Sequence, residues 1–391
     1  MQTRYESRRA SFKDLDTNTV ERRRNAAKTE SEEAKKEFLK SLREAAMAEP
    51  QVEDIPTHED LRARKLFARS FMYQDTMITV PGRLAKEWLV ALRPEGQRCL
   101  AVLQGNSVTL RQRNGAVIDS FVLDPFAVKR SDQVAIFDCV YGYSNRSMKR
   151  TVYIFDLLMQ KGNDLIFSDF VFRQYILKEH WPFCAVEGVP MLLGSEETPD
   201  FERIDFEFAT REAIESRYNL DGSSSGLVSD SLMFYHRDSR YQNGLSQEAL
   251  IFRDNHLSRF AIDSKHDDGF DGGECMEMVL RASLKRPKTE NNQVELATWD
   301  GIVLHRMPVL DCPGWLKSGL NKKPFLLVRC QVTNSFEFSS FSSSGKPFPH
   351  SLNRIVDQIR KRRAALQLDP TGNELFDSPL LTIESILNSI E

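Results

Sequence analysis

Residues 4 to 43 place the tightest limit on what this chain can fold into. Arg8-Arg9, Phe12-Lys13, Glu21-Arg22-Arg23-Arg24, Lys35-Lys36, Lys40 and Arg43 follow one another with very few large apolar side chains between them. Such a segment cannot bury enough surface to offset the entropy of ordering it. It is expected to stay largely disordered until a partner orders it into a helix. The cations come in clusters separated by helix-compatible spacers, so the surface that reads them must be long, acidic and concave. Twelve of residues 1–50 are Lys or Arg and ten are Asp or Glu, which leaves a solvated charged helix as the alternative reading. Asn18, with Glu21 three residues later, marks a helix start.

Beyond this leader the composition is that of a globular protein. A chain of 391 residues with 41% hydrophobic and 28% charged residues suffices for one large domain or two modest ones plus a tail. The formal net charge of −3 excludes a broad basic face, so any nucleic-acid contact must be local. Cys99, Cys139, Cys184, Cys275, Cys312 and Cys330 contain no C-x-x-C pair, which argues against a zinc site and a disulfide framework. No apolar run approaches membrane-spanning length, and the basic N terminus lacks the hydrophobic stretch of a secretory signal. A soluble protein of nucleus or cytoplasm is expected, with no metal, no cofactor and no membrane partner.

Pro50 to Asp60 is polar and proline-punctuated, and Glu59 to Arg69 is a short helix by pattern. From about residue 71 short apolar runs predict strands at Trp88–Leu92, Cys99–Leu103, Ser107–Leu110, Val134–Tyr141 and Val152–Leu158, with Pro94 to Gln97 as a turn. Phe170 to His180 and Arg211 to Tyr218 read as helices. Leu232–His236 and Ala249–Phe252 read as a hairpin around Tyr241 to Gly244. Residues 263–295, rich in Asp, Gly, Lys and Asn, are expected to include a loose insertion. Val303-Leu304, Phe325–Val332 and Phe336–Phe338 supply later strands, and Ser339 to Gly345 is a serine-rich loop. Leu352–Leu366 is an amphipathic helix whose basic end, Arg360 to Arg363, is expected to be solvated. Leu375 to Ile390 has apolar residues at helical spacing. The fold class is α+β, with the sheets mostly antiparallel.

Two groups of residues resemble the snurportin family. Arg9, Phe12, Lys13, Arg22, Arg23, Arg24, Lys35 and Lys36, continued by Lys40 and Arg43, are similar to the importin-β-binding segment, in which an extended leader with an Arg-x-x-Phe-Lys element feeds a basic helix. Val80-Pro81, Glu87-Trp88-Leu89-Val90, Pro94 to Arg98, Ile136 to Tyr141, Tyr153 to Met159, Asp169 to Arg173 and Leu232 to Arg237 resemble the family's trimethylguanosine cap-binding domain, over roughly residues 70–254. The resemblance implies the nucleotidyltransferase fold of messenger-RNA capping enzymes. It also implies an import adaptor that shuttles between nucleus and cytoplasm. Its partners would be importin-β and the capped small nuclear RNA or its particle. The apolar tail Leu375 to Ile390 weakly resembles a leucine-rich export signal, which would add an export receptor, and equally suits docking on the protein's own body. The domains would be residues 1–49, a linker at 50–70, the cap-binding domain at 71–260, its extension at 261–350, and a helix and tail at 351–391.

The same ancestry raises an enzymatic alternative, a residual RNA guanylyltransferase or ligase. Those enzymes need a Lys-x-Asp-Gly nucleophile, whose amine attacks the α-phosphate. Here the Asp-Gly pairs follow Leu220, Asp267, Phe270 and Trp299, and none has a lysine two residues before its aspartate. No catalytic residue is therefore assigned, and Asp156 is at most the relic of a metal site.

A methylated guanine is cationic, so its pocket needs an electron-rich face. The resemblance places Ile251 at one family tryptophan and Thr76 at another, which opens a second alternative, an import adaptor with altered cargo, and a third, a binding protein that does not recognise the cap. Tyr73 and Phe252 are the aromatics nearest to these positions, with Gln74 and Arg253 beside them. On a strand Phe252 points away from Ile251 unless a bulge intervenes. Arg98 and Arg113 occupy the places of family residues near the cap, where phosphates need charge-assisted donors.

Overall fold

Central strands with both faces covered read as continuous apolar runs, and those runs lie in the middle of this protein. In the computed structural model, residues 36–37, 40–46, 58–123, 134–160, 163–179, 191–192, 198–220, 226–263, 275–285, 293–333, 336–345, 348–370 and 373–390 are described. The chain divides between Leu66 and Phe67 into two units. In the first, residues 36–37 and 40–46 are helical, with Lys36, Lys40 and Arg43 exposed and Leu42 and Ala46 buried. Arg9, Phe12, Lys13, Arg22, Arg23, Arg24 and Lys35 lie outside the described residues. Helix α1 spans His58–Ala68.

The second unit holds three sheets. The first runs β1 (Met72–Thr76), β13 (Gly244–Phe252), β12 (Ser229–His236), β2 (Trp88–Pro94), β11 (Glu207–Phe208). The second runs β5 (Val117–Val122), β4 (Ser107–Gln112), β3 (Gly96–Gln104), β6 (Val134–Ser144), β7 (Lys149–Gln160), β10 (Asp200–Arg203), β9 (Met191–Leu192), with β8 (Asn163–Asp164) beside β7. Only β1 with β13 and β7 with β10 pair in parallel among the described strands; all other pairs are antiparallel. The architecture is therefore α+β with mainly antiparallel sheets, as the sequence predicts.

Buried apolar clusters cover one face of each of these sheets. Leu232, Phe234, Leu250 and Phe252 of the first sheet meet Ala213 and Ile214 of helix α4 (Arg211–Tyr218) and Ile383 and Ile386 of helix α8 (Ile383–Asn388). Cys99, Ala101, Phe137, Ile154 and Leu157 of the second sheet meet Leu177 of helix α3 (Phe170–Glu179). The opposite faces meet through Arg98 of β3, which bonds Gln74 of β1 at 2.6 Å, and Phe170 at the start of α3 stacks on Tyr235 of β12 with centroids 4.4 Å apart. Burying both faces is why β2, β6 and β7 need almost no polar alternation.

The third sheet runs β16 (Val303–Pro308), β15 (Gln293–Ala297), β14 (Cys275–Lys285), β17 (Leu326–Thr333), β18 (Phe338–Ser343). It encloses a core with helix α5 (Gly314–Lys322) and helix α6 (Leu352–Leu366). Within residues 263–295, Cys275–Lys285 form β14, an eleven-residue strand at the centre of the sheet; residues 264–274 and 286–292, where the loose insertion is expected, lie outside the described residues. Met276, Met278, Leu280 and Ala282 alternate inward along it, but Glu277, Arg281 and Ser283 between them gave the stretch a polar composition. Ser339 to Gly345 is largely strand β18 rather than a loop, held inward by Phe338 and Phe341 between the serines.

The basic end of α6 is not solvated. Arg360, Arg362 and Arg363 are buried: Arg360 donates to the Leu375 carbonyl (3.0 and 2.8 Å), Arg362 to that of Cys275 (3.1 Å) and Arg363 to that of Asp369. Backbone carbonyls at Leu375, Cys275 and Asp369 draw these guanidinium groups inward. No helix among the described residues is long and apolar enough to cross a membrane.

Candidate functional site

A cleft of about 320 Å³ opens where the edge of the first sheet meets the loops of the third, within the range of about 300–1,000 Å³ usual for small ligands. Its floor is the parallel pair of β1 and β13, which presents Tyr73, Gln74, Thr76, Leu245 and Ile251. Tyr73 is the register partner of Leu245, and Thr76 of Ile251. Arg113, in the turn after β4, stands exposed at one side. The facing wall is Trp299, in the turn between β15 and β16, with Phe348, Pro349, His350, Ser351 and Arg354 at the entry to α6.

A polar clasp holds the two walls together. Asp75 of β1 is buried, and its carboxylate accepts from Ser351 Oγ at 2.6 Å, Asn353 Nδ2 at 2.8 Å and the Thr76 backbone N–H at 2.8 Å. Burial raises the Asp75 carboxyl above its ordinary value, and these hydrogen bonds work against that rise. Ser351 is also the N-cap of α6, accepting from Arg354 N at 3.2 Å. Asp300, next to Trp299, accepts from Leu352 N at 2.7 Å. The Trp299 N–H donates to the His350 carbonyl at 2.9 Å. One small group of bonds thus fixes the helix start, the Trp299 turn and strand β1.

Three aromatic rings run along the cleft. Tyr73 and Phe348 meet edge to face with centroids 4.9 Å apart and 64° between planes, and Phe348 meets Trp299 at 4.9 Å and 75°. The Arg113 guanidinium lies over the Tyr73 ring at 5.5 Å. The Tyr73 hydroxyl is buried and has no hydrogen-bond partner among the described residues. Burial raises its phenol, with Arg113 and Arg98 opposing, so it stays protonated at neutral pH. Desolvation and repulsion from Arg98 and Arg93 lower the Arg113 guanidinium. It is still exposed to water, and its high intrinsic pKa keeps it charged. Arg354 is the second cation, paired with Asp263 at 2.7 Å.

Of the residues picked out from sequence, the fold brings Tyr73, Gln74, Thr76, Arg113 and Ile251 to this cleft, and places three elsewhere. Arg98 is buried and bidentate to Asp138 (2.9 and 2.5 Å), with a third bond to Gln74 Oε1 at 2.6 Å. It supports the floor through Gln74 rather than meeting a phosphate. Phe252 lies in the apolar cluster on the other face of the first sheet, because side chains alternate along β13. Arg253 donates to Asp230 Oδ2 at 2.5 Å and to the Asp230 carbonyl at 3.2 Å, sharing that aspartate with Arg93. Asp156 is likewise engaged, bidentate to Arg173 at 2.8 and 3.0 Å.

Sequence reasoning missed Trp299, Phe348, His350 and Arg354. A tryptophan directly before an Asp-Gly turn was the available signal, since so large an apolar side chain at a hairpin tip is poorly placed for a core. The remainder had none, because their role depends on how the third sheet meets the first.

An aromatic wall with cations at its margin has the chemistry to stack a planar group and to pair with anionic ones. Residues 70–251 match the family described as Snurportin1, m3G cap-binding domain, so this stretch, just under half of the chain, is snurportin-like. Among solved structures, the chain is similar to the ligase domain of M. tuberculosis LigD at 12% identity, over 72% of this chain and 91% of that one, with a TM-score of 0.32. It is also similar to mycobacterial DNA ligase D complexed with ATP and MES, at 14% identity over 81% and 83% of the two chains with a TM-score of 0.34. A Lig E DNA ligase gives 14% identity over 70% and 98%, with a TM-score of 0.28.

Proposed function

We propose that this protein binds the trimethylguanosine cap of spliceosomal small nuclear RNA in the cleft and couples the particle to importin-β through its basic N-terminal segment. One observation carries the reading. Ile251, where the resemblance expects the cap-stacking tryptophan, and Thr76, where it expects a second family tryptophan, are register partners on the cleft floor, which Arg113 also lines. A cap needs a surface for its charged base and donors for its triphosphate. The floor, the aromatic wall and Arg113 provide both in one place.

The protein acts as an adaptor rather than an enzyme. No Lys-x-Asp-Gly element is present in the sequence, so the nucleophile such enzymes use against an α-phosphate is lacking. An adaptor of this kind shuttles between cytoplasm and nucleus, with an export receptor returning it. The replacement of both floor tryptophans favours a second reading, an importin-β adaptor whose cargo has changed. Fluorescence titration with trimethylated, monomethylated and unmethylated cap dinucleotides separates the two. Tightest binding of the trimethylated cap is expected; equal affinity for all three, or no binding, would leave the altered-cargo reading.

A further inference from the structure

We infer that Trp299 is the stacking surface for the methylated base, so that the turn between β15 and β16, outside the matched stretch 70–251, supplies what the floor has lost. The inference rests on the cap reading above and names the residue that gives the site its selectivity.

The argument is one of elimination within the cleft. Methylation at N7 puts a positive charge on the guanine ring, and such a ring is held best by an electron-rich face, tryptophan above all. Thr76 and Ile251 offer none. The Tyr73 ring already carries the Arg113 guanidinium and meets Phe348 edge to face. Phe348 lies edge to face between Tyr73 and Trp299. Of the described tryptophans, Trp88 is buried beside His236 and Trp315 lies outside the cleft; Trp299 alone lines it and is half-buried.

The indole is also held in place before any ligand arrives. Its backbone is bonded to His350, and Phe348 meets it at 4.9 Å. Its six-membered ring rests against Gly244, where a Cβ would fall 2.8 Å from Cζ2 and 3.1 Å from Cη2. Gly244, at φ +94°, also adopts a backbone conformation that other residues rarely reach. The first residue of β13 is thus shaped to accept the indole, and a ring fixed in advance loses little freedom on binding.

The full-length chain is titrated with trimethylated, monomethylated and unmethylated cap dinucleotides, by indole fluorescence and by calorimetry. Quenching by the methylated caps is expected in the unaltered protein. Trp299→Leu keeps apolar bulk against Gly244 but removes the π face, and is expected to weaken both methylated caps about 5- to 150-fold and the unmethylated cap far less. Trp299→Phe is expected to keep the preference for methylated caps while losing most of the quenching. If Trp299→Leu melts like the unaltered protein and binds trimethylated cap equally well, the assignment to Trp299 is overturned and the cap reading stands. If the unaltered protein binds no methylated cap, both fall. Should Trp299→Leu melt early, Trp299→Phe decides: undiminished quenching would place the responding indole elsewhere and overturn the inference.

Discussion

Arg98 shows how one side chain can take a different part from the one a resemblance implies. By the resemblance it is a donor for a cap phosphate, and by its place at a turn-to-strand junction it would be a solvated surface residue. Its side chain is only 1% exposed, however, and it is bonded to Asp138, which also accepts from Tyr241 at 2.6 Å. The Tyr241 hydroxyl in turn accepts from the Met72 backbone N–H at 3.1 Å. Arg98 is therefore a link between the first and second sheets under β1. Removing one partner of such a pair leaves a buried charge uncompensated, which costs about 3–5 kcal/mol. Arg98→Met is expected to lower stability by that amount in urea unfolding, and to leave the salt dependence of cap affinity unchanged in the molecules that remain folded. A flattened salt slope would return Arg98 to the phosphates. Thr76 and Ile251 were legible from the resemblance, and period-two alternation alone was enough to turn Phe252 away from the cleft. Arg98 was not legible, because a partner 40 residues distant decides whether a strand arginine faces water or an aspartate.

The elements divide in the same way. Strands β2, β3, β6 and β7 and helices α3 and α6 follow from apolar runs and helical spacing, whereas the turn expected over Pro94–Gln97 is only a bend at Glu95, where the chain passes from β2 in the first sheet to β3 in the second. Strands β14 and β18 were hidden by polar residues on their outer faces. The C-terminal tail, apolar at helical spacing, suits either a free signal or a docked helix. In the structure Ile383 and Ile386 are buried against the first sheet, Leu381, Leu387 and Ile390 pack beside them, and Arg211 donates to the Leu387 carbonyl at 2.6 Å. Ile386→Ala is accordingly expected to cost about 2–5 kcal/mol in urea unfolding, as a core truncation does. A loss under about 0.5 kcal/mol, the scale of a surface substitution, would mean that the tail does not dock in solution. Docked in this way, the tail is closed to any export receptor, which would have to displace it at the cost of that burial.

Considered as a whole, the protein separates its two proposed tasks along the chain. Every residue lining the cleft belongs to the unit from Phe67 onward, whereas the basic clusters precede it. Deleting residues 1–57 is therefore expected to leave trimethylated-cap affinity within about twofold, as for sites that share no partners, while abolishing capture of importin-β in a pull-down. Retained capture would exclude the N-terminal segment as the import element. The sequence by itself determined the α+β class, the long central strands and most helices of the body, and the basic leader, because each of these is encoded in local periodicity or in a run of neighbouring residues. Two residues of the cleft floor, Thr76 and Ile251, came from the resemblance, and their pairing across β1 and β13 is a contact between remote parts of the chain. Tertiary structure alone decided the second wall. Trp299, Phe348 and Arg354 reach Tyr73 and Ile251 only because Asp75 clasps the start of α6 across more than 270 residues. No local pattern records such a contact, since its stability comes from burying groups that are remote in the chain.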